Sequence, residues 1–195
     1  MSIEALIFDC DGTLADTMPP HYEAWVAALA PHGLELTEER FYALGGWPVS
    51  RVIELLAREA SRHDLDVDVI EAAKQSEFDR RLHLVGPIAP IVQIAADHRG
   101  KLPMAVASGS RREAVRQILT HLEIIDWFEV YVGAEDSACH KPEPGIFLEA
   151  ARRLGVAAEN CRVYEDTDVG IEAAERAGMT WVDVRQYYQP RRITA

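Results

Sequence analysis

Residues 6–17 read LIFDCDGTLADT. The apolar run EALIF at 4–8, with turn chemistry directly behind it, reads as a buried strand. It runs straight into two carboxylates, Asp9 and Asp11, and then into Gly12. Strand alternation places Asp9 and Asp11 on one side, with Cys10 opposite. Gly12 lets the backbone turn away, and Thr13 is expected to hydrogen-bond locally. Like charges this close repel, so a fold that gathers them has a use for them. One carboxylate can attack phosphorus and form an acyl phosphate. The other can protonate the leaving oxygen and then take a proton from water. A D-x-D-G run also opens calcium-binding EF-hand loops, but the loop glycine would then fall at Leu14 and the closing glutamate at Pro20.

Beyond this strand the pattern is helical. HYEAWVAALAPHG places Tyr22, Trp25, Val26 and Leu29 at helical spacing, and Pro31 and Gly33 end the helix. Residues 50–61 and about 66–83 read as further charge-rich helices, with no convincing strand between Thr17 and Val85. From about Pro87 the pattern changes. Strands PMAVAS, FEVYVGA, CRVYE and TWVDV alternate with helices at about 90–98, 111–122, 143–154 and 169–177. Such alternation predicts βαβ units and a parallel sheet. The expected organisation is an α/β core of residues 1–16 and 85–195 with a helical insert, 17–84, acting as a lid over the carboxyl ends of the strands. The tail QYYQPRRITA has no clear pattern.

Three more strand ends carry phosphate chemistry. In VASGSRRE, Ser108 ends a strand, and its hydroxyl with the Gly109 N–H suits a phosphate oxygen. Ser110 there is either a further phosphate contact or one half of a capping box with Glu113. In HKPEPGIF, Pro142 biases Lys141 toward extended geometry, and Pro144 suits the first helical turn. A fixed ammonium there offsets charge on a nucleophilic carboxylate and a phosphate. In VYEDTDVG, Glu165 and Asp166 sit at the strand end itself, where one or two carboxylates hold Mg²⁺, while Thr167 or Asp168 caps the next helix.

Bulk properties narrow the class. The 195 residues are 48% hydrophobic and 27% charged, enough for a core with an insert. A formal net charge of −12 disfavours nucleic acid and anionic lipid as partners. The three scattered cysteines, Cys10, Cys139 and Cys161, form no C-x-x-C pair and fit a reducing compartment. No apolar run approaches the roughly 18 residues of a membrane span. The opening MSIEALIFD lacks the basic start of a secretory signal. The expectation is a cytoplasmic protein, a monomer, with no membrane or nucleic-acid partner.

Taken together, DCDGT, VASGS, HKPEPGIF and VYEDTDVGIEAAERAGM stand, in order, where the four motifs of the haloacid-dehalogenase (HAD) superfamily of hydrolases belong. The resemblance spans nearly the whole chain. DCDGTLADTMPPHYEAW resembles most the β-phosphoglucomutase and sugar-phosphatase group, in particular bacterial fructose-1-phosphatase-like proteins. It implies a Rossmann-like core with a C1 cap after the first strand, and Mg²⁺ as cofactor. It implies Asp9 as nucleophile and metal ligand, and Asp11 as acid/base that also gives the metal its backbone carbonyl. Ser108 and Lys141 would bind the transferring phosphate, and Asp166 with Glu165 would complete the metal site. An acid at position 11 separates phosphoryl transfer from carbon–halogen cleavage within the superfamily.

Substrate selection is expected in the helical insert. His21 could face the sugar, Gly46 allows close approach, Trp47 offers an apolar plate, and Arg51 and Lys74 are cationic candidates. Arg111, beginning the helix after the phosphate loop, is a candidate for a second anionic group. The leading reading is a phosphatase on a small sugar phosphate. The alternatives are a phosphosugar mutase, which hands the phosphate to another sugar hydroxyl, and a phospho-accepting regulatory domain. The last leaves Asp11 and the large insert without a use.

Overall fold

The computed structural model describes residues 2–193. By its internal packing the chain divides into two compact units. One is an α/β unit, the chain up to Asp16 with Gly86–Gln189; the other is a helical unit, Thr17–Val85 with the tail from Pro190.

The α/β unit is built on five strands. They are β1 (Ala5–Phe8), β4 (Met104–Ala107), β5 (Val130–Val132), β6 (Cys161–Glu165) and β7 (Thr180–Asp183). All are parallel, in the order β5-β4-β1-β6-β7. A second, two-stranded ladder joins β2 (Ala15–Asp16) antiparallel to β3 (Gly86–Pro87). The helices α5 (Ala89–His98), α6 (Arg112–His121), α7 (Gly145–Leu154) and α8 (Asp168–Arg176) connect the parallel strands. β1 lies in the middle. From it the chain fills one side with β4 and β5, then the other with β6 and β7. The strand order therefore reverses beside β1, at the place where open α/β sheets bind ligands.

Burial explains the strand composition. Every residue of β1 and β4 is buried, as expected of a sheet covered on both faces. Alternate residues divide between two cores. Ala5 and Ile7 join Phe147, Ala150, Ala151, Ala173 and Ala174 of α7 and α8 on one face. On β1's other residues, Phe8 stacks on Tyr164 with ring centroids 4.7 Å apart and meets Phe128 edge-on at 5.8 Å.

The helical unit holds α1 (Met18–Leu29), α2 (Glu38–Ala43), α3 (Val49–Glu59) and α4 (Val67–Arg81). Its core gathers Tyr22, Trp25, Leu29, Phe41, Ile53 and Ile70, among others. Val26, read as part of the apolar face of α1, is instead 44% exposed. The short helix α2 was not foreseen. Thr37 caps it by accepting from the Arg40 N–H at 3.3 Å, and Glu38 and Glu39 favour its N-terminal end. The tail is not patternless in space. The Arg192 guanidinium lies 3.5 Å from the Tyr42 ring centroid, and the Ile193 N–H donates to Glu38 Oε1 at 2.8 Å. No helix among the described residues is long and apolar enough to cross a membrane.

Candidate active site

The strand β1 ends at Phe8, one residue before the first carboxylate. Asp9 and Asp11 therefore stand in the turn after the strand, and simple alternation does not set their directions. Backbone bonds do. The Asp9 N–H donates to the Tyr164 carbonyl at 3.0 Å, which ties Asp9 to β6. Gly12 takes φ +82°, a left-handed turn that glycine adopts without cost. Its N–H then donates to the Ala15 carbonyl at 2.9 Å, closing the loop.

The two carboxylates part company. Asp9 is buried, and its Oδ1 accepts from Lys141 Nζ at 2.7 Å. Asp11 Oδ2 accepts from the Ser110 hydroxyl at 2.7 Å and from the Ser108 hydroxyl at 3.3 Å. Ser108 is in turn fixed by the Ser110 N–H, which donates to its Oγ at 3.0 Å. The capping-box reading of Ser110 is thus corrected. α6 starts after Arg111 without a side-chain cap, and the hydroxyl turns to Asp11. A carboxylate is the stronger acceptor, and the hydroxyl follows it.

Lys141 precedes a cis peptide to Pro142. Its Nζ also donates to Glu165 Oε2 at 2.7 Å, so one ammonium bridges the ends of β1 and β6. Glu165 is 1% exposed and fully engaged. Its Oε1 accepts the Thr167 N–H at 3.0 Å and the Thr167 hydroxyl at 2.6 Å. Thr167 does cap α8, accepting from the Gly170 N–H at 3.1 Å. Its hydroxyl is therefore shared between the cap and the site. Asp168 is no cap; its Oδ1 pairs with Arg185 at 2.7 Å.

The Thr13 hydroxyl does not bond within its own turn, as its position suggested; only its N–H does, to the Cys10 carbonyl at 3.3 Å. Its hydroxyl donates to Asp166 Oδ1 at 3.0 Å. Asp9, Glu165 and Asp166 each present an oxygen, and these oxygens lie within 4.8 Å of one another. Two glycines make room for them. A Cβ on Gly12 would collide with the Asp166 carboxylate, and one on Gly170 with the Glu165 carboxylate. Gly170 and the double use of Thr167 escaped the sequence reading. Their only local signal is the T-x-x-G spacing at 167–170, which is also that of an ordinary cap.

One cation serves two buried acids with the half-buried Asp166 beside them, and the protonation of Asp9 and Asp166 reflects it. Burial pushes the Asp9 carboxyl well above the usual range; Lys141 opposes this, while Glu165, Asp166 and Asp11 add to it. Burial, with Glu165 next, pushes Asp166 up to about 8, against the pull of Thr13 and Lys141. Burial works against the Lys141 ammonium too, but Asp9 and Glu165 outweigh it and hold it charged. All-oxygen donors with surplus negative charge in a buried site suit a hard divalent cation such as Mg²⁺.

The remaining candidates from the sequence fall elsewhere. Gly109 and Arg111 lie on the exposed turn between β4 and α6. In the helical unit, Lys74 is buried on α4 with its Nζ 3.0 Å from His21 Nδ1. His21 stacks on Phe78 at 3.9 Å, and Lys74 stands over the Trp25 and Phe78 rings at 5.8 and 5.6 Å. Lys74 is thus a held side chain and not a solvated one. Trp47 is 48% exposed and so not part of the helical core. Arg51 is exposed, 4.0 Å from Glu54, and Gly46 takes φ +81°.

The family model of haloacid dehalogenase-like hydrolases matches residues 3–178. The chain belongs to this family. It is 40% identical to the fructose-1-phosphate phosphatase YqaB of Escherichia coli, over 92% of this chain and 95% of that one. Among solved structures it is similar to a β-phosphoglucomutase from Clostridium difficile, with 26% identity, a TM-score of 0.79, and coverage of 93% of this chain and 84% of that one. It is also similar to CbbY from Rhodobacter sphaeroides in complex with xylulose-(1,5)bisphosphate. There the identity is 26% and the TM-score 0.80, over 92% of this chain and 84% of that one. The α/β fold with a central parallel sheet, expected from the sequence, is that of these hydrolases.

Proposed function

We propose that the protein is a magnesium-dependent phosphatase that hydrolyses a small sugar phosphate, such as fructose 1-phosphate, through an aspartyl phosphate on Asp9. The observation that carries this reading is Lys141 bridging Asp9 and Glu165, with Asp166 beside them. Asp9, Glu165 and Asp166, with the Asp11 backbone carbonyl, would hold Mg²⁺. When bound, the ion supplies positive charge against which the phosphoryl oxygens and the carboxylates are balanced.

Asp9 attacks phosphorus, and the phosphorus–oxygen bond to the sugar breaks. Asp11 protonates the departing sugar oxygen. It then takes a proton from the water that cleaves the aspartyl phosphate, which restores Asp9 and releases phosphate. Lys141 neutralises charge on the nucleophile and the transferred group. Ser108 lends its hydroxyl to the phosphoryl oxygens, with the Gly109 N–H and Ser110 beside it. Ser108 and Ser110 also orient Asp11, which accepts from both hydroxyls.

Selection of the sugar is assigned to the helical unit, to His21 and Lys74 first, then to Gly46, Trp47 and Arg51. Arg111 is the candidate on the α/β unit for a second anionic group. A buried ammonium held by an imidazole is poised to exchange that partner for an anion.

A mutase is the second reading, favoured by the likeness to the Clostridium difficile β-phosphoglucomutase. The two share the aspartyl phosphate and differ in its acceptor, water or a sugar hydroxyl. Phosphate release is measured across hexose, pentose and triose phosphates with Mg²⁺ and with EDTA, and isomerisation of β-glucose 1-phosphate is followed in parallel. The phosphatase reading expects stoichiometric phosphate, abolished by EDTA. Isomerisation with little phosphate release establishes the mutase instead. Asp9→Asn is expected to remove turnover and keep the fold; wild-type rates from it would overturn the assignment of the nucleophile.

A further inference from the structure

Tyr188 lies in the C-terminal stretch that carries no sequence pattern, yet its place is well defined. After β7 the chain makes a single 3₁₀ turn, Val184–Gln186. Asp183 Oδ1 accepts the Arg185 N–H at 2.9 Å. The N–H groups of Tyr187 and Tyr188 both donate to the Val184 carbonyl, at 2.8 and 3.1 Å. Val184 itself is fully buried and anchors the turn. From there the Tyr188 hydroxyl donates to Asp16 Oδ2 at 2.5 Å, across 172 positions of sequence.

Asp16 holds a particular place in the chain. It is the last residue of β2, and the peptide to Thr17 leaves the α/β unit. Its antiparallel partner Gly86 is the first residue after the chain returns. β2 also closes the loop of Asp9 and Asp11. The Ala15 N–H donates to the Cys10 carbonyl at 3.0 Å, and Asp11 bridges to Ala15. Yet β2 and β3 are two residues each, too short a ladder to hold themselves in water.

The second oxygen of Asp16, Oδ1, is buried with no hydrogen-bond partner among the described residues. The Tyr188 hydroxyl is thus the one protein donor to this carboxylate among them. Without it neither oxygen of this half-buried carboxylate has a protein donor, and β2 loses its tie to the turn after β7. We infer that Tyr188 is a positioning residue: through Asp16 it clamps the exit strand β2, and with it the loop that carries Asp9 and Asp11. Past Gln189 the chain passes to the helical unit a second time, having entered it at 16/17 and left it at 85/86. Tyr188 secures the α/β side of that crossing, and the ties of Arg192 and Ile193 lie within the helical unit.

The consequence for turnover rests on the phosphatase reading; the clamp on β2 does not. The test uses the full chain with Tyr188→Phe, which keeps the ring and removes only the hydroxyl, and Asp16→Ala, which removes the acceptor, as second variant. Amide exchange is followed in peptides covering 14–18 and 85–88, beside kcat and KM on fructose 1-phosphate. Tyr188→Phe should speed exchange in both peptides about tenfold or more, and lower kcat several-fold with KM within about twofold. In an Asp16→Ala background it should add nothing further. Unchanged exchange in Tyr188→Phe overturns the proposal, as do additive effects of the two substitutions. A wild-type protein that hydrolyses no sugar phosphate overturns the phosphatase reading alone, and exchange then decides the clamp.

Discussion

The Thr13 hydroxyl donates to Asp166 Oδ1 at 3.0 Å, joining loops that are 153 positions apart in the chain. One hydroxyl thereby fixes an acid from the end of β6 against the loop that follows β1. Thr13→Val keeps the shape and removes the donor. A hydrogen bond to a charged group is worth about 1.5–3 kcal/mol. With Asp166 in the proposed metal set, the Mg²⁺ concentration that half-saturates turnover should rise roughly tenfold or more. A titration of activity against Mg²⁺ checks this, and an unchanged midpoint would remove Asp166 from the set.

Gly170 is required for the space it leaves. A methyl there would strike the Glu165 carboxylate, which Lys141 and Thr167 hold from both sides. Gly170→Ala should cost about 1–3 kcal/mol of stability. It should also displace Glu165 and lower turnover more than the loss of folded protein explains. Thermal unfolding and kcat, measured on one preparation, separate the two effects.

Ser110 distinguishes a cap from a site residue. Loss of a true N-cap would cost about 1 kcal/mol of stability with little change in rate. The hydroxyl instead meets Asp11 at 2.7 Å. Ser110→Ala should therefore leave the melting temperature within a few degrees and reduce kcat several-fold. The reverse pattern would restore the capping role.

The acids also set a pH dependence. Asp166, about 3.8 in the unfolded chain and about 8 in the metal-free fold, binds its proton more tightly when folded. Stability from that proton is fully present below about 3.8 and is lost as pH rises through about 8. Asp9 shifts in the same direction. Metal-free protein should melt at progressively lower temperature from pH 5 to pH 8 on their account. Mg²⁺ should raise the melting temperature more at pH 8 than at pH 6, because the carboxylates then bind it without losing a proton. Scanning calorimetry with and without Mg²⁺ measures both trends; equal stabilisation at the two pH values would contradict them.

The linear pattern alone carried the five parallel strands and most of the helices in their order, and the residues at the strand ends, but not α2 or the β2–β3 ladder. Period-2 and period-3.6 hydrophobicity, proline and glycine placement, and capping residues act over a few positions, so they are visible in a linear chain. CRVYE at 161–165 is a strand to the residue; DCDGT, Ser108 and Glu165–Asp166 could be marked as chemistry because each stands at a strand end, and Lys141 because of the prolines behind it. Short-range reasoning failed where a side chain chose a distant partner over a near one. Thr13 left its own turn for Asp166, Ser110 left its helix for Asp11, and Tyr188 in a patternless tail met Asp16. Those choices depend on the order β5-β4-β1-β6-β7, which brings the ends of β1 and β6 side by side. Only there does one ammonium reach both Asp9 and Glu165, because burial strips away the water that would otherwise satisfy each charge separately.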